Sequence, residues 1–195
     1  MPLSLCIDLS EDERAALLDI ARRSIVNGLD SSAALQLDVT RLDKKLRIDS
    51  AVFVTLTIDG NLRGCIGSLQ PSAPLAQAVA NSAFNAAFRD PRFTPLREDE
   101  VEKITIEVSV LSSMELIPLD TRQELLDDLK PGVDGLLIED QGHRATFLPQ
   151  VWEKMSTADE FVGQLMLKAG LARRTLVEYY PLLSLSQYFF RRELI

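Results

Sequence analysis

Apolar and polar positions alternate most clearly from Ala51 to Ile58. Val52, Val54, Leu56 and Ile58 fall on one face there, and Phe53, Thr55 and Thr57 on the other. This is the period of a strand buried on one side. Lys103 to Ser112 alternates in the same way, setting Ile104, Ile106, Val108 and Val110 against Thr105, Glu107, Ser109 and Leu111. Gly135 to Glu139 and His143 to Leu148 flank Asp140-Gln141-Gly142 and predict a hairpin, and Leu183 to Phe190 predicts a closing strand. Helical spacing predicts four helices. The first runs from Ser10 to Asn27, with Ser10 and Glu13 as a capping box and Gly28 as its stop. The second runs from Ser72 to Phe88 with Ser72 as N-cap, the third from Thr121 to Leu129, and the fourth from Thr157 to a stop at Gly170. Residues 29–50 read as a polar connector with one short helical turn. Strands arrive in adjacent pairs rather than alternating singly with helices. The expected class is therefore α+β, an antiparallel or mixed sheet flanked by helices.

One stretch breaks the pattern. Leu62-Arg63-Gly64-Cys65-Ile66-Gly67 follows the first strand across an Asp59-Gly60-Asn61 turn, so the two segments predict a hairpin with room for a bulge. Two glycines weaken an ordinary strand, but they let a ligand or another backbone come close. In an extended chain alternate side chains share a face, so Arg63 and Cys65 are expected to point the same way and Leu62 and Ile66 into the core.

Charge and cysteine content narrow the function. A net charge of −8 argues against binding nucleic acid through phosphate neutralisation. No apolar run is long enough to span a bilayer, and Met1 to Cys6 lacks the basic start and long apolar core of a signal peptide. The expected location is cytoplasmic. The two cysteines, Cys6 and Cys65, form no C-x-x-C or Cys/His cluster, so neither a zinc site nor, in a reducing compartment, a disulfide is expected. A chain of 195 residues supports one well-cored domain with room for a small subdomain.

Cys65 is the candidate nucleophile, with Arg63 as the cation that favours a thiolate. The competing reading is a compact strand residue with no chemistry. His143, the only histidine, is the usual kind of base for such a thiol. It opens a strand just after a turn, however, where an exposed histidine needs no catalytic explanation, and it is not counted in the site. Asp90, Arg92 and Glu107 either rim a polar pocket with Arg63, Gly64 and Gly67 or pair among themselves. Phe84 and Phe88, four residues apart, are expected in the core.

The hexapeptide resembles the signature of the AMMECR domain family, whose bacterial members are called protein A of the AmmeMemoRadiSam system. Phe53-Val54-Thr55, Asp90-Pro91-Arg92-Phe93, Glu107 to Leu111, Thr146 to Trp152 and Lys168 to Leu171 resemble the family in the same order, from about Ser10 to Phe190. Ala145 stands where relatives often carry glycine. The resemblance implies an antiparallel sheet with flanking helices and a smaller inserted part, with the hexapeptide at or near the cleft between the parts. It implies Memo-like and radical S-adenosylmethionine proteins as partners, names no cofactor, and does not require a histidine at position 143. Two functions follow as expectations: a cysteine-dependent enzyme or enzyme component, or a non-catalytic binding module that uses the Arg63-Gly64-Cys65 groove.

Overall fold

The computed structural model describes residues 8–112, 115–117, 121–140, 143–171 and 182–192, with backbone alone at 115–117, 140 and 182–192. The described residues form two compact units, one from residues 8–111 with 188–192 and the other from residues 112–187.

The first unit contains α1 (Glu11–Ser31), β1 (Ala51–Ile58), β2 (Asn61–Gly67), α2 (Leu75–Phe88) and β3 (Ile104–Leu111). β1 lies between β2 and β3 and pairs antiparallel with both. Its apolar face is buried as the alternation predicts: Val52, Val54 and Leu56 join Ile104, Ile106 and Val108 in one cluster with Leu17, Ile25, Leu75 and Val79 of the helices. Burial of this apolar surface, about 25 cal/mol per Å² removed from water, is what holds the helices on the sheet.

Both helices depart from their expected bounds for identifiable reasons. Ser10 caps α1 as predicted, accepting from the Glu13 N–H at 3.2 Å while its own N–H donates to the Glu13 carboxylate at 2.7 Å. Gly28 does not end the helix. The chain continues to Ser31, and Ser32 turns into the left-handed region (φ 55°) with its N–H on the Gly28 carbonyl. Gly28 serves packing instead: a Cβ there would lie 2.4 Å from the Phe88 ring and 2.7 Å from the Phe84 ring. α2 begins at Leu75, not Ser72. Proline at the capping position offers no side-chain cap, and the Ile48 carbonyl accepts the Leu75 N–H at 2.9 Å in its place. The connector holds two short 3₁₀ turns, Val39–Arg41 and Lys44–Arg47.

The second unit contains β4 (Glu115–Ile117), α3 (Arg122–Asp128), β5 (Asp134–Asp140), β6 (His143–Phe147), α4 (Ala158–Lys168) and β7 (Leu182–Arg192), which runs on past this unit's residues. β5 pairs antiparallel with β6 and β7, and β4 pairs antiparallel with β7. β4 is three residues long, too short to leave an alternating signature, and has no counterpart among the expected strands. The turn expected between β5 and β6 falls on positions 141 and 142, outside the described residues. Thr121 and Thr157 cap α3 and α4 as expected. The core centres on Trp152 stacked on Phe161, ring centroids 3.9 Å apart, with the indole N–H donating to the Asp134 carbonyl at 2.7 Å. The class is α+β, as the pattern of alternation indicates.

Candidate functional site

The site is built by an irregularity in β2. Asp59 (φ 50°) and Gly60 (φ 76°) make a two-residue hairpin turn with both residues in the left-handed region. A regular hairpin from that turn would set Arg63 opposite Leu56 and Cys65 opposite Val54, burying the thiol in the helical core. The register instead shifts between Leu56 and Thr57: Thr57 pairs with Leu62, and Leu56 pairs with Gly64. Arg63 is the extra residue of a β-bulge. Beyond it Cys65 pairs with Thr55, on the more polar face, and Ile66 pairs with Val54 on the core face. The bulge also corrects the expectation for Leu62, which lies before the phase change and is 45% exposed rather than buried.

Gly64 takes the core-facing place, where only glycine fits. A Cβ would stand 2.1 Å from the Ala86 carbonyl oxygen, so the backbone of α2 lies directly against it. Gly67 is similarly confined by the Val52 carbonyl oxygen at 2.1 Å and the Phe53 ring at 2.5 Å from a built Cβ.

Arg63 is committed to the segment between α2 and β3. Its Nε and Nη2 donate to the two Glu100 carboxylate oxygens, both at 2.9 Å, and Nη1 and Nη2 reach the carbonyls of Thr94 (3.0 Å) and Pro95 (3.4 Å). This fork is largely shielded from water. Arg63's hydrogen bonds, opposed by burial and aided by the Arg97 N–H, pull the Glu100 carboxyl down to about 2. Glu100 in turn raises Arg63.

Asp90 and Arg92 bracket Cys65. Asp90, only 4% exposed, accepts the Cys65 N–H at 2.9 Å, the Arg92 N–H at 3.1 Å, and Arg92 Nε and Nη2 at 2.9 and 2.7 Å. Arg92 Nη2 also donates to the Cys65 carbonyl at 3.1 Å. The Arg92 hydrogen bonds hold the Asp90 carboxyl far below the usual carboxylate range against the opposing effect of burial. Asp90 raises Arg92, and Cys65 adds to that rise. The cation at the thiol's own peptide is therefore Arg92, while Arg63 is held by Glu100.

Across the strands a row runs from Cys65 through Thr55 to Glu107. Thr55 Oγ1 donates to Cys65 Sγ at 3.3 Å, and Cys65 is half-buried. In the next row, Gly67–Phe53–Ser109, the Ser109 hydroxyl is buried with no hydrogen-bond partner. His143 bonds through Nδ1 to the Ala169 carbonyl at 2.8 Å, within the second unit. Among the described residues no cluster of His, Cys, Asp or Glu could hold a metal, and no helix is long and apolar enough to cross a membrane.

Cys65, Asp90 and Arg92 are thus in contact, Gly64 and Gly67 flank them in β2, and Glu107 stands at the far end of the thiol's row. Thr55 and Glu100 complete these contacts and were not among the sequence candidates. Thr55 was legible as a polar-face residue of β1, but its pairing with Cys65 depends on the bulge. Glu100 carried no signal in a run of acidic residues.

A family model described as AMMECR1 matches residues 18–188. A protein of Methanothermobacter thermautotrophicus is 40% identical over 164 residues, covering 84% of this chain and 85% of its own. One of Saccharolobus solfataricus is 40% identical over 173 residues, covering 84% of this chain and 74% of its own. The crystal structure of an uncharacterised protein from Pyrococcus horikoshii superposes with a TM-score of 0.82 at 32% identity, covering 91% of this chain and 90% of that one. The breadth of the family match, carried through to a solved structure at this similarity, places the chain in the AMMECR1 family.

Proposed function

We propose that the chain is a cysteine-dependent enzyme or enzyme component in which Cys65 is the nucleophile or covalent anchor. The observation that supports this is the hydrogen bond from the Thr55 hydroxyl to Cys65 Sγ, in a row that ends at the Glu107 carboxylate. In this reading the Thr55 hydroxyl donates to the sulfur and favours the thiolate, whose proton leaves to solvent, and the sulfur adds to an electrophilic unsaturated carbon of the substrate as the π bond at that carbon breaks towards its heteroatom. Arg92 supplies the positive charge beside the reacting atom, and Asp90 fixes the peptide that carries it. Gly64 and Gly67 allow β2 to sit close against α2 and Phe53, so the thiol is held on a rigid strand.

The setting proposed is cytoplasmic, with a Memo-like protein and a radical S-adenosylmethionine protein as partners, the arrangement associated with protein A of the AmmeMemoRadiSam system. The whole chain is treated as one AMMECR-like domain with a larger and a smaller part.

Alkylation kinetics test the reading. Cys65 in the native protein is expected to react faster at neutral pH than in the denatured chain, and Arg92→Gln, which removes the neighbouring positive charge, is expected to slow it several-fold. A native rate no higher than the denatured one, with the Cys65→Ser protein keeping its cellular function, would overturn it.

A further inference from the structure

A cavity of about 240 Å³ lies between α2, the start of β1 and the end of β2, and Cys65 takes no part in it. α2 contributes Ala78, Asn81, Ser82 and Asn85, a set spaced i, i+3, i+4 and i+7 that shares one helical face. Three of the four are polar on a helix that is otherwise alanine and apolar residues apart from Gln77, and they are turned to a partly open space.

Several of its hydrogen-bonding groups have no protein partner among the described residues. Ser82 is 8% exposed, and among the described residues its hydroxyl has no hydrogen-bond partner. A helical serine commonly returns its O–H to the carbonyl four residues back, as Ser31 does to Asn27 at 2.7 Å, and Ser82 does not. The Asn85 carboxamide has no partner among the described residues either. Asn81 accepts from Gln77 Nε2 at 3.0 Å through its carbonyl oxygen, which leaves its amino group to donate. Gly67 adds backbone groups. The Ser68 N–H bonds to the Val52 carbonyl at 2.9 Å, so by antiparallel alternation the Gly67 N–H and C=O point away from β1. Unpartnered side-chain donors and acceptors that converge on one concave space are available to a ligand there.

The lining also limits what that occupant is. It contains no charged side chain, which disfavours phosphates and carboxylates. The volume is below the roughly 300 Å³ at which pockets for drug-sized ligands begin, which suits a single ring system. A carboxamide offers a donor and an acceptor side by side and is complementary to another amide edge. We infer that this cavity is a binding site for a small neutral molecule with an amide edge, such as a nucleobase or a ring carrying a primary carboxamide. Asn85 pairs with that edge, and Ser82 and Asn81 supply the remaining bonds.

Titration of the full chain with uracil and with nicotinamide, followed by amide NMR shifts, tests the inference, with inorganic phosphate as control. Saturable shifts centred on Asn81 to Asn85 are expected with at least one of the two rings and not with phosphate. Asn85→Leu is expected to weaken that binding by about tenfold or more, the loss of a two-point hydrogen bond. Should Asn85→Leu unfold, Asn85→Asp keeps the shape, removes the amide donor and carries the same expectation. Cys65→Ser should leave the binding intact, so loss of the proposed thiol chemistry and loss of this site are read separately. No saturable shift with either ring, equal binding of phosphate, or unchanged affinity in the Asn85 variant would each overturn the inference.

Discussion

The Thr55 hydroxyl reaches the Cys65 sulfur at 3.3 Å because Arg63 is an extra residue in β2. Without that insertion the thiol would face Val54 and the helical core. The bulge is held from both ends: Arg63 is fixed to Glu100, and Gly64 is pressed against α2.

Thr55→Val tests the contact directly. Valine keeps the β-branched shape and the strand preference but removes the donor. Alkylation of Cys65 is expected to change several-fold in rate, while the melting temperature stays within a few degrees of wild type. An unchanged rate would mean that the hydroxyl contact has no influence on the thiol.

The Arg63–Glu100 fork is expected to carry stability. Arg63→Met leaves a shielded carboxylate without its partner and should lower unfolding free energy by about 3 kcal/mol, measured by urea denaturation. Glu100 titrates near 2 in the folded chain, below its ordinary value of 4.5. Between these values the unfolded chain binds more protons, so the contribution is complete above pH 4.5 and is lost as pH falls towards 2. Glu100→Gln should flatten the acid limb of the stability curve by at most about 1.4 kcal/mol per pH unit over that window. The remaining slope includes Asp90, whose carboxyl is also depressed.

Gly64→Ala and Gly60→Ala separate two uses of glycine. At Gly64 the added methyl would meet the α2 backbone, which cannot step aside, and a loss of about 3 kcal/mol or failure to fold is expected. At Gly60 nothing lies within 4 Å, but φ is +76°, so the loss should be only about 1 kcal/mol.

Asp90→Ala removes the acceptor for the Cys65 N–H and for three Arg92 donors. A destabilisation of about 2–4 kcal/mol is expected, with faster hydrogen exchange at the Cys65 amide. Asp90→Asn should recover part of the stability, because it keeps an acceptor while losing the charge. Unaltered exchange at Cys65 in Asp90→Ala would contradict the bracketing role.

The strands of the first unit were legible because β1 and β3 alternate without interruption, and burial on one face requires that pattern. The capped helix starts at Ser10, Thr121 and Thr157 were legible because a capping residue acts locally. What escaped depends on contacts distant in sequence. Gly28 looks like a helix stop until Phe84 and Phe88 are seen packed onto it. Arg63 looks like a companion of Cys65 until Glu100, 37 residues later, takes its guanidinium. Ser72 looks like a cap until the Ile48 carbonyl meets the first free N–H of α2. The polar face of α2 was masked by the alanines around it, since composition alone does not tell a cavity from a core.

The bracket that Asp90 and Arg92 place on the Cys65 peptide has a consequence for how copies of the protein meet. Among the described residues β2 ends the strand order and has β1 as its one neighbour there. An outermost strand with free N–H and C=O groups invites a second chain to add on, and that is a common start of aggregation. Here a carboxylate occupies the N–H and a guanidinium the C=O at the middle of that strand. A neighbouring chain finds those positions already taken, so the pair that frames the thiol also discourages sheets from growing edge to edge.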